Sequence, residues 1–325
     1  MTGTSEALRR AVPLLRCPQC SEPVEAEVCG SANDEAPTND GAPTNDGSPI
    51  TGVRCSAGHA FDRARQGYLT LFGPRGRRFI GDTTEQVLAR DRVLRFGVFD
   101  PVAAVLARIA REELERTVRP PGGSGPVVLE AGAGTGFYLE RVLEGLRAAG
   151  MTGAGAGAAA PLGLGTEISV AAARRLARAD SDLVALVADT WDGLPLADDS
   201  VDLLQVVFAP RNAAEFARVL RPGGSLVVAG PGPGHLEPLR SDVGMLTPDA
   251  DKAERLEAGL AGFFSPGRVR VVDETVQVPG TVSVDLALMG PSGVHLDRDD
   301  LERTLGARES EVRIHVEIRT FHPVK

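Results

Sequence analysis

Between Thr83 and Arg119 the apolar residues Val87, Leu88, Leu94, Val102, Val105, Leu106 and Ile109 recur at helical spacings, with polar residues filling most of the gaps. Asp82-Thr83-Thr84-Glu85 places capping side chains ahead of that stretch. The pattern therefore predicts helix from Thr83, closed by the Pro120-Pro121-Gly122-Gly123 breaker. The period then changes. Val127-Val128-Leu129 is a short apolar run, followed by a glycine turn and a helical stretch from Phe137 to Ala149. Leu164 to Ile168, Leu183 to Val187, Val201 to Val207 and Ser225 to Ala229 repeat the strand signal, with a helix from Val170 to Arg178 after the first. Such runs alternating with helices predict a mostly parallel sheet with helices on both faces. Val269 to Val278 and Val312 to Arg319 alternate apolar and polar residues instead, as late strands with one solvated face do.

Two stretches carry neither period. Ala36-Pro37-Thr38-Asn39-Asp40-Gly41 is repeated at once by Ala42 to Gly47, and the polar, turn-rich segment 26–50 reads as a disordered insert. Gly150 to Gly163 is a second low-complexity break. The organisation that follows is a small domain over 1–80, a helical connector over 81–121 and an α/β domain over 122–325. With 42% hydrophobic residues in a chain of 325, a sizeable core is expected, which excludes wholesale disorder and a fibrous protein. No run of 18 apolar residues occurs, and Pro13 breaks the short apolar start. A soluble cytoplasmic protein, with neither a membrane span nor a secretory signal, is the expectation. The net charge of −9 argues against a nucleic-acid partner only on average, since a binding face needs local charge.

The run Glu130-Ala131-Gly132-Ala133-Gly134-Thr135-Gly136 lies between a strand and a helix, where small residues let backbone amides approach a ligand. A dinucleotide fingerprint would place glycine at position 137, where Phe137 stands. The GxGxG form behind an acid fits S-adenosylmethionine better, with Gly132, Gly134, Thr135 and Gly136 as cradle and Glu130 toward the ammonium group. Glu167 ends the next strand, where a carboxylate can accept the ribose hydroxyls, and Asp189 follows the third strand as a candidate for the adenine end. The turn Arg221-Pro222-Gly223-Gly224 then precedes the fifth strand.

All four cysteines fall in the first fifth of the chain, which in a reducing compartment reads as metal binding before disulfides. Cys17-Pro18-Gln19-Cys20 and Cys55-Ser56-Ala57-Gly58-His59 supply three thiolates and an imidazole, a tetrahedral set suited to structural zinc, with Cys29 as an alternative ligand.

These pieces together resemble one family, the guanine-N1 methyltransferases of 23S ribosomal RNA, including the tylosin and mycinamicin resistance enzymes. The resemblance runs through Cys17 to Cys20, then Cys55 to His59 leading into Phe61-Asp62-Arg63-Ala64-Arg65-Gln66-Gly67-Tyr68-Leu69-Thr70-Leu71, and Gly81-Asp82-Thr83. It continues through Val127 to Tyr138, Phe208-Ala209-Pro210-Arg211-Asn212, Pro231 to Leu236 and Met289-Gly290-Pro291-Ser292. It implies an α/β fold with a Rossmann-like class I methyltransferase domain, and a small N-terminal zinc-binding domain that helps grip an RNA hairpin. It further implies cofactor contacts at Gly134, Thr135, His235 and Phe99. Relatives often carry Tyr at position 99, so a hydroxyl contact there is not carried over. The Phe208-to-Asn212 wording is closest to the antibiotic-resistance branch, which implies a target near the peptide exit tunnel and macrolide resistance as the role.

The residues point to an RNA partner independently. From Arg54 to Arg78 six arginines stand against one acid, and Arg63, Arg65, Arg75, Arg77 and Arg78 are the candidate phosphate contacts. Phe61, Tyr68 and Phe72 lie among them, either to stack on bases or to fill the core of a small domain. Guanine N1 must lose its proton as it is methylated. Arg211 or Asn212, after the fourth strand, is the candidate contact to that base; the alternative is a solvated Arg211 and an Asn212 that caps the next helix. Two other readings stand beside this one: a small-molecule methyltransferase of secondary metabolism, and a zinc-containing RNA-binding protein without activity. A homodimer is compatible with all three.

Overall fold

The chain begins with helix α1 (Gly3–Ala11), whose buried Ala7, Leu8 and Ala11 face the main sheet. A three-stranded antiparallel sheet follows, made of β1 (Val24–Val28), β2 (Ile50–Cys55) and β3 (Ala60–Asp62), and then the short β4 (Leu69–Thr70). This is a computed structural model, and it describes residues 3–28, 48–76, 79–117, 125–152, 159–246 and 252–325. The repeat at 36–47, Cys29, Arg77, Arg78 and the middle of the second glycine-rich insert lie outside the described residues.

The helical pattern after Asp82 forms two helices, α2 (Thr84–Phe96) and α3 (Asp100–Arg116). Gly97 divides them: it takes φ +93 and donates its N–H to Leu94 O, a left-handed cap that the periodicity alone did not register. At the start of α2, Thr83 and Gln86 form a reciprocal capping box.

The strands of the larger sheet follow as β5 (Val127–Ala131), β6 (Leu162–Glu167), β7 (Leu183–Val187), β8 (Val201–Val207) and β9 (Leu220–Pro231). Between them run α4 (Phe137–Ala148), α5 (Val170–Leu176) and α6 (Ala213–Val219). The C-terminal part adds α7 (Leu239–Val243), α8 (Lys252–Leu260), β10 (Phe264–Pro279), α9 (Gly280–Leu288), α10 (Arg298–Leu305) and β11 (Glu309–Pro323). The eight strands are ordered β10-β11-β9-β8-β5-β6-β7-β4. From β9 to β4 every pairing is parallel, and β11 and β10 close the other end antiparallel.

Sequence pattern and burial agree here. Every residue of β5, β7 and β8 is buried, as strands covered on both faces must be, whereas β11 alternates because one of its faces is wetter. The cover is α3 and α4 on one face and α1 and α6 on the other. β4 pairs with β7, and Leu15 bridges Leu196, so the cysteine-bearing lobe is stitched into the edge of the α/β sheet.

Candidate cofactor cleft and metal centre

In a doubly wound sheet, ligands bind outside the carboxyl ends of the strands where the strand order reverses. That reversal lies between β5 and β8, and a cleft of about 720 Å³ opens there, within the range of about 300–1,000 Å³ usual for small-molecule sites. Glu130 near the end of β5, Glu167 at the end of β6, Asp189 just past β7 and Phe208 just past β8 all line it.

The glycine turn has the conformation its residue types permit. Gly132, Gly134 and Gly136 take φ of +74, +55 and +91, in the left-handed region that favours glycine. A Cβ at Gly132 would stand 2.5 Å from Ala209 Cβ. Gly136 serves packing rather than the cleft: a Cβ there would meet Leu176 and Ala179 at 2.9 Å, and the residue does not line the cavity. Gly134 N–H and Ser169 N–H donate to the two oxygens of Glu167 at 2.8 and 2.7 Å, which fixes that carboxylate beside the turn. Desolvation holds the Glu167 pKa above its ordinary value against the pull of those bonds.

Glu130 is 1% exposed, and burial, with a smaller push from the Glu167 charge, raises its pKa to about 8 despite the Gln205 Nε2 donor at 3.0 Å. Asp189 Oδ1 accepts the Trp191 N–H at 2.9 Å, while its buried Oδ2 has no hydrogen-bond partner among the described residues. A buried acceptor left open is costly unless a ligand donor meets it. These acceptors are therefore chemically suited to an S-adenosyl ligand, whose adenine amine, ribose hydroxyls and ammonium group are all donors.

The sequence reading missed several cleft residues, Phe79, Ile80 and Trp191 among them, and one charged group. Arg90 on α2 pairs with Asp82 and donates to Met289 O at 2.7 Å, and it lies 3.8 Å from where a Cβ at Gly134 would be. Phe99 lines the cleft at 1% exposure, and His235 stands behind it, stacked on Phe208 at 5.8 Å and 26°. Arg211 is off the cleft wall, half-buried, with its pKa lowered by desolvation. Asn212 caps α6 by accepting from Glu215 N, and its amide donates to Thr190 O. The mouth of the cleft carries the exposed apolar side chains of Phe79, Ile80, Trp191, Phe208 and Val294.

In the small lobe the 34-residue gap closes in space. The ligand atoms of Cys17, Cys20, Cys55 and His59 lie within 4.8 Å of one another. Cys20 and Cys55 sulfurs are 3.7 Å apart, and His59 Nδ1 is 3.5 and 3.4 Å from the sulfurs of Cys17 and Cys55. Metal–sulfur and metal–nitrogen bonds of about 2.3 and 2.0–2.1 Å in a tetrahedron give edges of about 3.8 and 3.6 Å, so these four side chains are close enough together that they could hold one ion.

The arginines divide. Arg54 pairs with Glu27 at 2.6 Å, and Arg75 pairs with Asp192 at 2.8 Å. Arg63 donates inward to Gly67 O and Ile50 O, and Arg65 is exposed. Phe61 and Tyr68 are buried at 8% each and Phe72 packs against the core, so these aromatics fill the interior.

No family model matches the chain. It is 37% identical, over 95% of its length and 96% of the relative's, to a Micromonospora griseorubida protein provisionally described as a 23S rRNA (guanine-N(1)-)-methyltransferase. It is 35% identical, over 91% of both chains, to the 23S rRNA (guanine(748)-N(1))-methyltransferase of Streptomyces fradiae. Among solved structures, that of MccD protein is 17% identical with a TM-score of 0.42, covering 69% of this chain and 98% of that one. With a glycine-turn cleft, a Cys3His cluster and near-complete alignment to both relatives, the chain belongs to the family of 23S rRNA (guanine-N(1)-)-methyltransferases.

Proposed function

We propose that this protein transfers a methyl group from S-adenosylmethionine to N1 of a guanine in a 23S rRNA hairpin near the peptide exit tunnel, and that the methyl confers resistance to tylosin-type macrolides. The observation that carries the activity is the cleft at the carboxyl ends of β5 to β8, with its glycine turn, the strand-end acids Glu130, Glu167 and Asp189, and the open Oδ2 of Asp189. The guanine at position 748 is the target named for the Streptomyces fradiae relative, and we assign the same base here.

When bound, the cofactor supplies an electrophilic methyl on a sulfonium. The chain's own residues align the two reactants and exclude water, which is where most of the rate of an in-line displacement arises. Gly134, Glu130, Glu167 and Asp189 would hold the donor, which would supply the methyl to N1 and be left as a neutral thioether, while the N1 proton would pass to solvent water. Asn212 is occupied as a helix cap, so of the two candidates at the end of β8 the guanidinium of Arg211 is the one free to meet the guanine O6 and favour loss of that proton. Ion in place, the Cys17, Cys20, Cys55 and His59 set acts as a structural zinc site, since four protein ligands leave no open position for chemistry. Arg65, Arg77 and Arg78 supply the phosphate grip.

Transfer of tritiated methyl from S-adenosylmethionine to purified 23S rRNA tests the reading. Label recovered as 1-methylguanosine is the expected result. Label entering a macrolide, with none in RNA, would instead favour the secondary-metabolism alternative. Expression of the active chain should raise the tylosin concentration needed to stop growth, and an unchanged concentration would remove the resistance role alone.

A further inference from the structure

We infer that Phe79 and Ile80 form an apolar wedge that enters the RNA stack beside the target guanine and holds that base out toward the cleft. The inference rests on the RNA reading above. Ile80 is 92% exposed, the most of any large apolar residue among the described residues, and Phe79 beside it is 50% exposed. A single exposed isoleucine needs no explanation, but here Trp191, Phe208 and Val294 are exposed as well, and all five line one cavity mouth.

The backbone that carries the pair is clamped. A Cβ at Gly81 would stand 2.7–2.8 Å from Ser169 N, Cα and Cβ, so the chain lies flat against the start of α5. Ser169 Oγ donates to Asp82 O at 2.7 Å, the Asp82 carboxylate pairs with Arg90, and Thr83 caps α2. Upstream, Arg75 pairs with Asp192 next to Trp191, on the bank of the cleft beyond β7. The pair is thus presented from a root fixed beside Glu167, with both side chains exposed at the cleft.

The chemistry calls for such a part. N1 lies on the pairing edge of guanine, so the base must leave its stack, at a cost in stacking and pairing energy. Apolar side chains inserted between base steps meet that cost in other nucleic-acid complexes by occupying the vacated space. Trp191, past β7, and Phe208, past β8, are exposed at the same mouth, where aromatic faces can receive the extruded base.

The test compares two RNA hairpins spanning guanine 748, one intact and one with abasic sites on both sides of that guanine, so that no stacking has to be broken. Single-turnover methylation is measured for the native protein, Ile80→Ala, Ile80→Leu and the Phe79→Ala/Ile80→Ala double variant, together with cofactor affinity by calorimetry. Ile80→Ala and the double variant should be at least ~10-fold slower than native on the intact hairpin and within ~2-fold of native on the abasic one. Ile80→Leu should retain the rate on both, and cofactor affinity should stay within ~3-fold throughout. Equal slowing on both hairpins, loss of cofactor affinity, or no slowing at all overturns the wedge while leaving the methylation reading standing. A folded native protein that methylates neither hairpin nor whole 23S rRNA overturns the functional reading and the wedge with it.

Discussion

Glu130 is a carboxyl that burial holds near a pKa of about 8 in a site suited to a cation. A cationic ligand favours the ionised form, so binding releases a proton and affinity should climb with pH toward 8, by up to ~10-fold per unit below that value. Calorimetry of S-adenosylmethionine binding from pH 6 to 8 checks this, and Glu130→Gln should weaken binding and flatten the profile. The sign for stability is opposite. Because the folded pKa lies above the ordinary value of 4.5, the folded state holds more protons between the two values, and this group's contribution is lost as pH rises through that window. Glu130→Gln should therefore raise the melting temperature at pH 8 more than at pH 5, and an equal shift at both would refute the linkage. Glu130, Glu167 and Asp189 were legible in the sequence because each is an acid at the end of an apolar run. Arg90 was not: it reaches the turn only once α2 has folded back over the sheet, and no local pattern signals that. The Asn212 cap was legible as one of two readings, and the geometry favours it.

Elements were legible where burial imposes a period. β5, β7 and β8 read as strands because both of their faces are covered, and β10 and β11 because they alternate. The division of the long helical pattern at Gly97 was missed, since a left-handed cap inside a periodic run resembles a tolerated glycine. α1 and β4 were missed because each draws its stability from tertiary packing onto β6 and β7 rather than from a pattern of its own. The glycine turn is the element on which binding depends most. Gly132→Ala adds a methyl 2.5 Å from Ala209 Cβ at φ +74, which should cost ~2–4 kcal/mol in denaturant unfolding and abolish cofactor binding. Gly150→Ala, at φ +69 with nothing within 4 Å, is the control and should cost only ~1–2 kcal/mol with binding intact. Equal costs would show that the turn is not packed as described.

Over the whole molecule, the small lobe and the α/β body share a sheet edge through β4 and the Leu15–Leu196 bridge. Cys17→Ser with Cys20→Ser should lower bound zinc from ~1 equivalent to below ~0.2 by elemental analysis, since structural sites draw folding energy from the metal. RNA methylation should then fall at least ~10-fold while cofactor affinity changes less than ~3-fold; the reverse order would place the metal lobe at the cofactor instead. The Cys17, Cys20, Cys55 and His59 cluster was legible from CxxC and CxxxH, and the fold brings its ligand atoms within 4.8 Å of one another. The arginine patch was legible only as charge, because Arg54, Arg63 and Arg75 take partners within the fold that composition does not disclose.

The central proposal is a nucleobase presented to a methyl donor at the carboxyl ends of β5 to β8. Primer extension across 23S rRNA, taken from cells lacking guanine-748 methylation with and without this chain, reads that directly, because a methyl on N1 blocks pairing and halts the polymerase. A stop one nucleotide before guanine 748, present only with the native chain and absent with Gly132→Ala, is the predicted result; uninterrupted extension through 23S rRNA from cells holding the folded native chain would contradict it.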